Sequence, residues 1–248
     1  MPGSAYSSDI VIDLEFTPTN GHNRHWRNSR PTAGSMADKA LADKLEHEIV
    51  EIGAVRVDAR GNAIDEFPRV VKPTIARGVS GFVNQLTGIR DEELTDALPL
   101  SAVLDEFRQW AGPGARMVAW SKSDQLQIAC ECGVKGIDTN GLPSRWMDIQ
   151  RLYPRLMGLP KRSVALGEAA DWCGIEFDRY RAHRALYDAR KTAELFGLMH
   201  DGGLRTQRKA IESQVSDGSE SESLSSNVGS RCSGLAELLD SLRLQEAV

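Results

Sequence analysis

Three features of the sequence point to an α/β fold, a mixed β-sheet flanked by helices. Residues 10–16 alternate apolar and acidic side chains at period two; residues 48–57 and 63–72 follow as two further strand-like runs. From Leu100 onward the apolar spacing becomes that of helices interleaved with short strands. The order β-β-β-α-β-α-β-α-α is a three-strand meander feeding alternating units, so helices must cover an open sheet.

The first strand, within IVIDLEF, puts Ile10, Ile12, Leu14 and Phe16 on one face and leaves Asp13 and Glu15 on the other. The run EIVEIGAVRV at 48–57 is rich in β-branched residues, and Gly61-Asn62 supplies the turn into 63–72. There, Pro68 marks an edge position or a bulge, because it cannot donate to a ladder. Val103, Leu104, Phe107 and Trp110 fall at helical spacing, and Gly112-Pro113-Gly114 stops that helix. A strand at 116–120, a helix near 124–132 closed by Gly133, and a strand near 146–149 come next. Two helices complete the domain. One starts at Ser163 and stops at Gly174; the other runs from about Arg184 to His200, burying Leu186, Ala189, Ala193 and Phe196, and ends at Gly202-Gly203.

Two stretches fall outside this pattern, which gives a domain over 8–203 and a tail over 204–248. Residues 17–47 hold Pro, Asn, Gly, Arg and three histidines and separate the first two strands by more than a hairpin needs, so they read as an insertion. Residues 213–234 are Ser-rich and acidic, with too few apolar side chains to fold alone. Beyond them, Leu235, Leu238, Leu239 and Leu242 share helical spacing, so a short C-terminal helix can dock on the body or on a partner.

Composition narrows the class. Over 248 residues, 41% hydrophobic and 26% charged side chains are the values of a globular domain, and no apolar run reaches membrane-spanning length. The N-terminus lacks the basic and apolar regions of a secretory signal, so the cytoplasm is the expected location. Cys130, Cys132, Cys173 and Cys232 fit neither a disulfide framework nor a zinc spacing, and His22, His25 and His47 likewise lack ligand spacing. A net charge of −5 argues against a protein that coats nucleic acid electrostatically. It leaves room for an enzyme whose acidic site is neutralised locally by metal ions.

Asp13 and Glu15 are the first chemical anomaly. Charge inside an otherwise apolar strand is costly unless compensated, and two carboxylates about 7 Å apart at Cα can share divalent cations. For the pair alone, a solvated acidic face is the better account. Asp124 follows the strand at 116–120, and HRALYDAR places His183 five residues before Asp188. On one continuous helix those two side chains would diverge by roughly 140°. If His183 lies in the turn before the helix, both can reach one site.

VIDLEFT, the EIVEIGAV strand, LTGI at 86–89, SDQ at 123–125 and HRALYDAR at 183–190 together resemble the DEDDh exonucleases, most closely the branch of Eri1-type and KapD-like enzymes. The likeness spans about residues 9–200, in the right order. It implies a ribonuclease-H-like fold, two divalent cations (Mg²⁺ or Mn²⁺) on Asp13, Glu15, Asp124 and Asp188, and His183 as general base. The sister class with a tyrosine base spaces it Tyr-x-x-x-Asp, and that position here is Arg184, while Tyr187 does not fit. Phosphodiester hydrolysis needs water activated far below its bulk pKa of about 15.7, and two hard cations about 3.5–4 Å apart can serve nucleophile and leaving oxygen. Hard cations select carboxylate oxygen, and imidazole is the side chain that titrates nearest neutral pH.

The resemblance also implies that Phe16, Thr17, Leu86, Thr87, Gly88 and Ile89 line the pocket for the terminal nucleotide. The same residue types serve equally as core. Residues 144–191 hold ten Lys/Arg against six Asp/Glu, which offers a phosphate track or simply a solvated basic face. In the insertion, Arg24, Trp26, Arg27 and Arg30 lie close in sequence to Glu15 and could meet phosphate and base. The expected partner is a nucleic acid with a free 3′ end, single-stranded RNA or DNA, with RNA favoured by the branch, and no membrane. Oligomeric state is left open. The rival class is a catalytically silent nucleic-acid-binding module of the same fold, against which all five site residues are present.

Overall fold

The computed structural model describes residues 8–19, 44–58, 61–158, 163–200 and 203–204. Its sheet has six strands in the order β4-β3-β2-β1-β5-β6: β1 (Asp9–Pro18), β2 (His47–Val57), β3 (Ala63–Lys72), β4 (Leu98–Pro99), β5 (Arg116–Ala119) and β6 (Arg145–Asp148). The β1–β2 and β2–β3 pairs are antiparallel; β1–β5, β5–β6 and β3–β4 are parallel. Pro68 lies opposite Gly53 on a strand whose outer side meets β4 only at Val71 and Lys72, so it occupies an edge where no donor is required.

The helices are α1 (Gly81–Thr87), α2 (Asp91–Thr95), α3 (Leu100–Ala111), α4 (Ser123–Lys135), α5 (Ile149–Met157), α6 (Leu166–Trp172) and α7 (Ala185–His200). None among the described residues is long and apolar enough to cross a membrane. The mixed sheet and the helix at 100–111 are as the periodicity predicts, and four features differ. Helix α4 runs through Gly133 and is capped by Gly136 at φ 65°, because a solvated glycine weakens a helix without ending it, whereas a left-handed cap ends it. Helix α6 begins at Leu166 rather than Ser163. Helix α5, absent from the predicted order, carries an internal Pro154 that reads as a breaker, yet nine residues suffice once Asp148 caps its start. Helices α1 and α2 with β4 also precede α3, each too short to show a period.

Alternation along β1 divides the interior. Ile10, Ile12 and Leu14 join Ile52, Ala54, Met117 and Ala119 against α3 and α4, while Val11, Val55 and Val118 pack against α5, α6 and α7. Asp13 and Glu15 continue the Val11 side and therefore face α7. The β1–β2 ladder extends to Pro18 opposite His47, and the Thr19 amide donates to the Glu46 carbonyl at 3.0 Å. Residues 17, 18 and 47 are therefore strand, not insertion, and the connection closes on itself at its base. Arg24, Trp26, Arg27, Arg30, His22 and His25, like the Ser-rich tail, lie outside the described residues.

A buried charge network fixes α4 to this frame. The Glu48 carboxylate, fully buried, accepts from the amides of Thr74, Ile75 and Ala76, and Lys135 Nζ donates to it at 2.5 Å and to Glu131 at 2.6 Å. Glu131 in turn accepts from the Ile49 amide at 2.8 Å. One lysine thus serves two buried carboxylates and ties the helix that carries Asp124 to β2.

Candidate active site

The five residues singled out by the sequence come from four elements. In parallel register Ile12 lies opposite Ala119, so β5 ends at the level where Asp13 begins. The chain then turns through Ser121 into α4, whose first turn carries Asp124, 4% exposed. Asp188 is in the first turn of α7 and is buried. His183 lies outside that helix, in the turn before it, and is exposed.

The turn resolves the helix-geometry problem. At φ 64°, His183 is the one non-glycine with a left-handed backbone among the described residues. That conformation costs on the order of 1 kcal/mol and persists only where neighbours enforce it. Upstream, the amides of Arg181 and Ala182 donate to the Asp178 carbonyl at 3.0 and 3.1 Å. Downstream, the His183 amide donates to Asp188 Oδ2 at 3.1 Å. One oxygen of Glu15, a ring nitrogen of His183 and one oxygen of Asp188 consequently come within 4.8 Å of one another.

Electrostatics join the remaining two. Burial pushes Asp13 well above the usual carboxylate range, and the charges of Asp124, Glu15, Asp188 and Glu51 add to it. Glu15 is pushed up to about 9, by burial first and then by Asp188, Glu51 and Asp124. Asp124 rises to about 7 through burial, restrained by hydrogen bonds from its own backbone, from that of Leu14 and from Ser123. Asp188 is also raised by burial. Carboxylates held this way need cations or protons. Asp188 Oδ1 is in addition buried without a hydrogen-bond partner, as expected of an oxygen kept for a metal ion. The donor set is all oxygen apart from one imidazole, and it fits hard divalent cations.

A pH dependence follows. These carboxylates hold protons in the folded chain that the unfolded chain loses near pH ~4, so metal-free stability falls as pH rises through about 7 and toward about 9. Metal ions held there would replace those protons and would bind only the folded state. The melting-temperature increment from Mn²⁺ is therefore expected to be larger at about pH 8 than at about pH 6. Equal increments in differential scanning fluorimetry would contradict the assignment.

The predicted nucleotide-pocket residues have mixed placements. Ile89 is fully buried with Val50, Val83 and Leu94. Thr17 is also fully buried; its hydroxyl accepts from the Ser80 amide at 2.9 Å, and that of Thr87 donates to the Val83 carbonyl. Leu86 (38% exposed) and Gly88 face solvent, and Phe16, half-buried, packs near His47. Tyr187 is buried, with its hydroxyl accepting from the Asp178 amide at 2.6 Å, which makes it a prop for the turn.

Glu51 has no part in the sequence-based assignment. It stands beside Glu15 across the β1–β2 ladder and is 5% exposed. The signal was available, since Glu51 is as anomalous in an apolar strand as Asp13.

Comparison with known proteins agrees with the geometry. The profile of the RNase_T family, described as exonuclease, matches residues 10–196. ERI1 exoribonuclease 2 of Danio rerio is 28% identical over 221 residues, covering 80% of this chain and 36% of the relative. The 3′-5′ exonuclease Snipper of Drosophila melanogaster is 25% identical over 221 residues, covering 80% of this chain and 72% of the relative. The chain thus spans about a third of the Danio protein's length. Among solved structures, the nuclease domain of 3′hExo, a DEDDh family member bound to rAMP, superposes with a TM-score of 0.64 at 21% identity, covering 80% of this chain and 94% of that one. The profile runs from the strand bearing Asp13 and Glu15 into the helix bearing Asp188, and on that extent the chain belongs to the RNase_T exonuclease family.

Proposed function

We propose that the chain is a metal-dependent 3′→5′ exonuclease that releases nucleoside 5′-monophosphates from single-stranded ends, RNA in preference to DNA. The observation that carries this reading is the convergence of Glu15, His183 and Asp188 within 4.8 Å, beside a buried Asp188 oxygen that has no partner. Membership of an exonuclease family supports the reaction, and the Danio relative's name, an exoribonuclease, supports the RNA preference. The rAMP bound to the solved nuclease domain is of the size and charge of the product.

Asp13, Glu15, Asp124 and Asp188 would hold two divalent cations, Mg²⁺ or Mn²⁺. When bound, such ions supply Lewis acidity for water and neutralise charge on the phosphate. The residues of the chain do the rest. Four clustered carboxylates, where ionised, repel a polyanion, and cations held by them would offset that repulsion. His183, exposed at the rim, takes the proton of the attacking water and passes it to solvent. Leu86, Gly88 and Phe16 offer the terminal base an apolar surface without reading its edge, which suits low sequence preference.

The test uses 5′-labelled single-stranded RNA and DNA of one sequence, each with Mn²⁺ and with excess chelator. Stepwise shortening from the 3′ end is expected only without chelator, and faster on RNA. Faster shortening of DNA would reverse the substrate preference, and intact strands of both kinds would refute the activity.

A further inference from the structure

Glu51 and Arg184 belong to none of the groups assigned above, yet they meet at the residue that follows His183. Arg184 Nη2 donates to Glu51 Oε1 at 2.7 Å, and its Nε lies 3.1 and 3.2 Å from Oε1 and Oε2. The same carboxylate accepts from the Ala185 amide at 2.8 Å. Both oxygens of Glu51 are thus engaged, so it is not a spare metal ligand like Asp188. Resting on the exonuclease reading, we propose that the Glu51–Arg184 pair positions His183, holding its left-handed backbone so that the imidazole faces the carboxylate cluster.

Two observations and one chemical argument converge on this. The strained residue is bracketed by carboxylates on both sides: Asp188 takes its own amide, and Glu51 takes the side chain of the next residue and the amide of the one after. Glu51 is anchored in the ladder opposite Glu15, so the grip refers the turn to the strand that carries half the cluster. Finally, guanidinium is a planar fork that fixes direction as well as distance, which a lysine ammonium cannot do. The pairing also consumes the Arg184 charge. Glu51 would otherwise be a fifth uncompensated carboxylate beside the cluster, and Arg184 is aimed at it, with Glu93 a further 3.9 Å neighbour.

A purely structural ion pair and a positioning pair predict different kinetics. For Arg184→Met in the full chain, kcat on a 5′-labelled oligonucleotide is expected to fall on the order of 100-fold, the scale set by misplacing a catalytic group by about 1 Å. KM should stay within about twofold, and for Arg184→Lys, which keeps the charge opposite Glu51, so should the Mn²⁺ dissociation constant from calorimetry. Arg184→Lys keeps the charge and loses the fork, so it should fold and recover only part of kcat.

The decisive measurement is a double-mutant cycle with His183→Ala. If Arg184 acts through His183, Arg184→Lys costs little once the imidazole is gone. An equal fold-loss in both backgrounds overturns the proposal, as does an Arg184→Lys enzyme with wild-type kcat. Should the wild-type chain itself show no chelator-sensitive shortening, the exonuclease reading is what fails.

Discussion

Asp13→Asn is expected to lower kcat by at least about 10³-fold while raising the melting temperature measured in chelator. The first effect follows from removing one carboxylate from a cation site that contributes several kcal/mol to the transition state; about 4 kcal/mol corresponds to 10³ in rate. The second follows from what the residue endures without metal. Burial and the charges of Asp124, Glu15, Asp188 and Glu51 all disfavour its ionised form, so a neutral amide of the same shape relieves the folded state. Loss of rate with a gain in metal-free stability separates a functional carboxylate from a structural one, whose removal lowers both. Retained turnover, or a lower melting temperature in chelator, would take Asp13 out of the cation site.

Gly53→Ala is expected to damage both turnover and stability, although Gly53 bears no functional group. A Cβ built there would lie 2.1 Å from the Ala185 carbonyl carbon and 2.1 Å from the Leu186 nitrogen, both backbone atoms with no rotamer to yield. The start of α7 must then retreat by about 1 Å, taking His183 and Asp188 with it. Overpacking of this kind costs roughly 1–3 kcal/mol, and the misplacement costs on the order of 100-fold in kcat. Gly133→Ala is the control: nothing lies within 4 Å of its Cβ, and it is a helical position in α4. That change should leave turnover unaltered and add about 0.5–1 kcal/mol, read by urea denaturation. If Gly53→Ala matches the wild type in rate, the seating of α7 on β2 has no bearing on catalysis.

Position 53 also shows where sequence reading stops. The run EIVEIGAVRV announces a strand through its β-branched residues, and a glycine within it announces only that something comes close. What comes close is the start of a helix more than a hundred residues away, and no local pattern encodes that register.

Similar limits explain the helices. Val103, Leu104, Phe107 and Trp110 declare α3 because one face is apolar at helical spacing. Helix α5 stays hidden, since nine residues with a proline inside hold too few periods to outweigh a breaker. Gly133 and Gly136 are equivalent as letters; only the left-handed φ of Gly136 makes it the stop.

The sheet-forming runs, the anomaly of carboxylates in apolar strands and, through motif order, the family are legible along the chain. Alternation and the cost of burying charge are local properties, readable from neighbours along the chain. Folding alone pairs Glu51 with Arg184, the residue after His183, leaves one Asp188 oxygen without a hydrogen-bond partner, and turns Ile89 and Thr17 inward. Those facts depend on strand register and on the angle at which α7 meets the sheet. Both are set by packing between residues distant in sequence, where each contact is short-ranged in space and leaves no spacing to read.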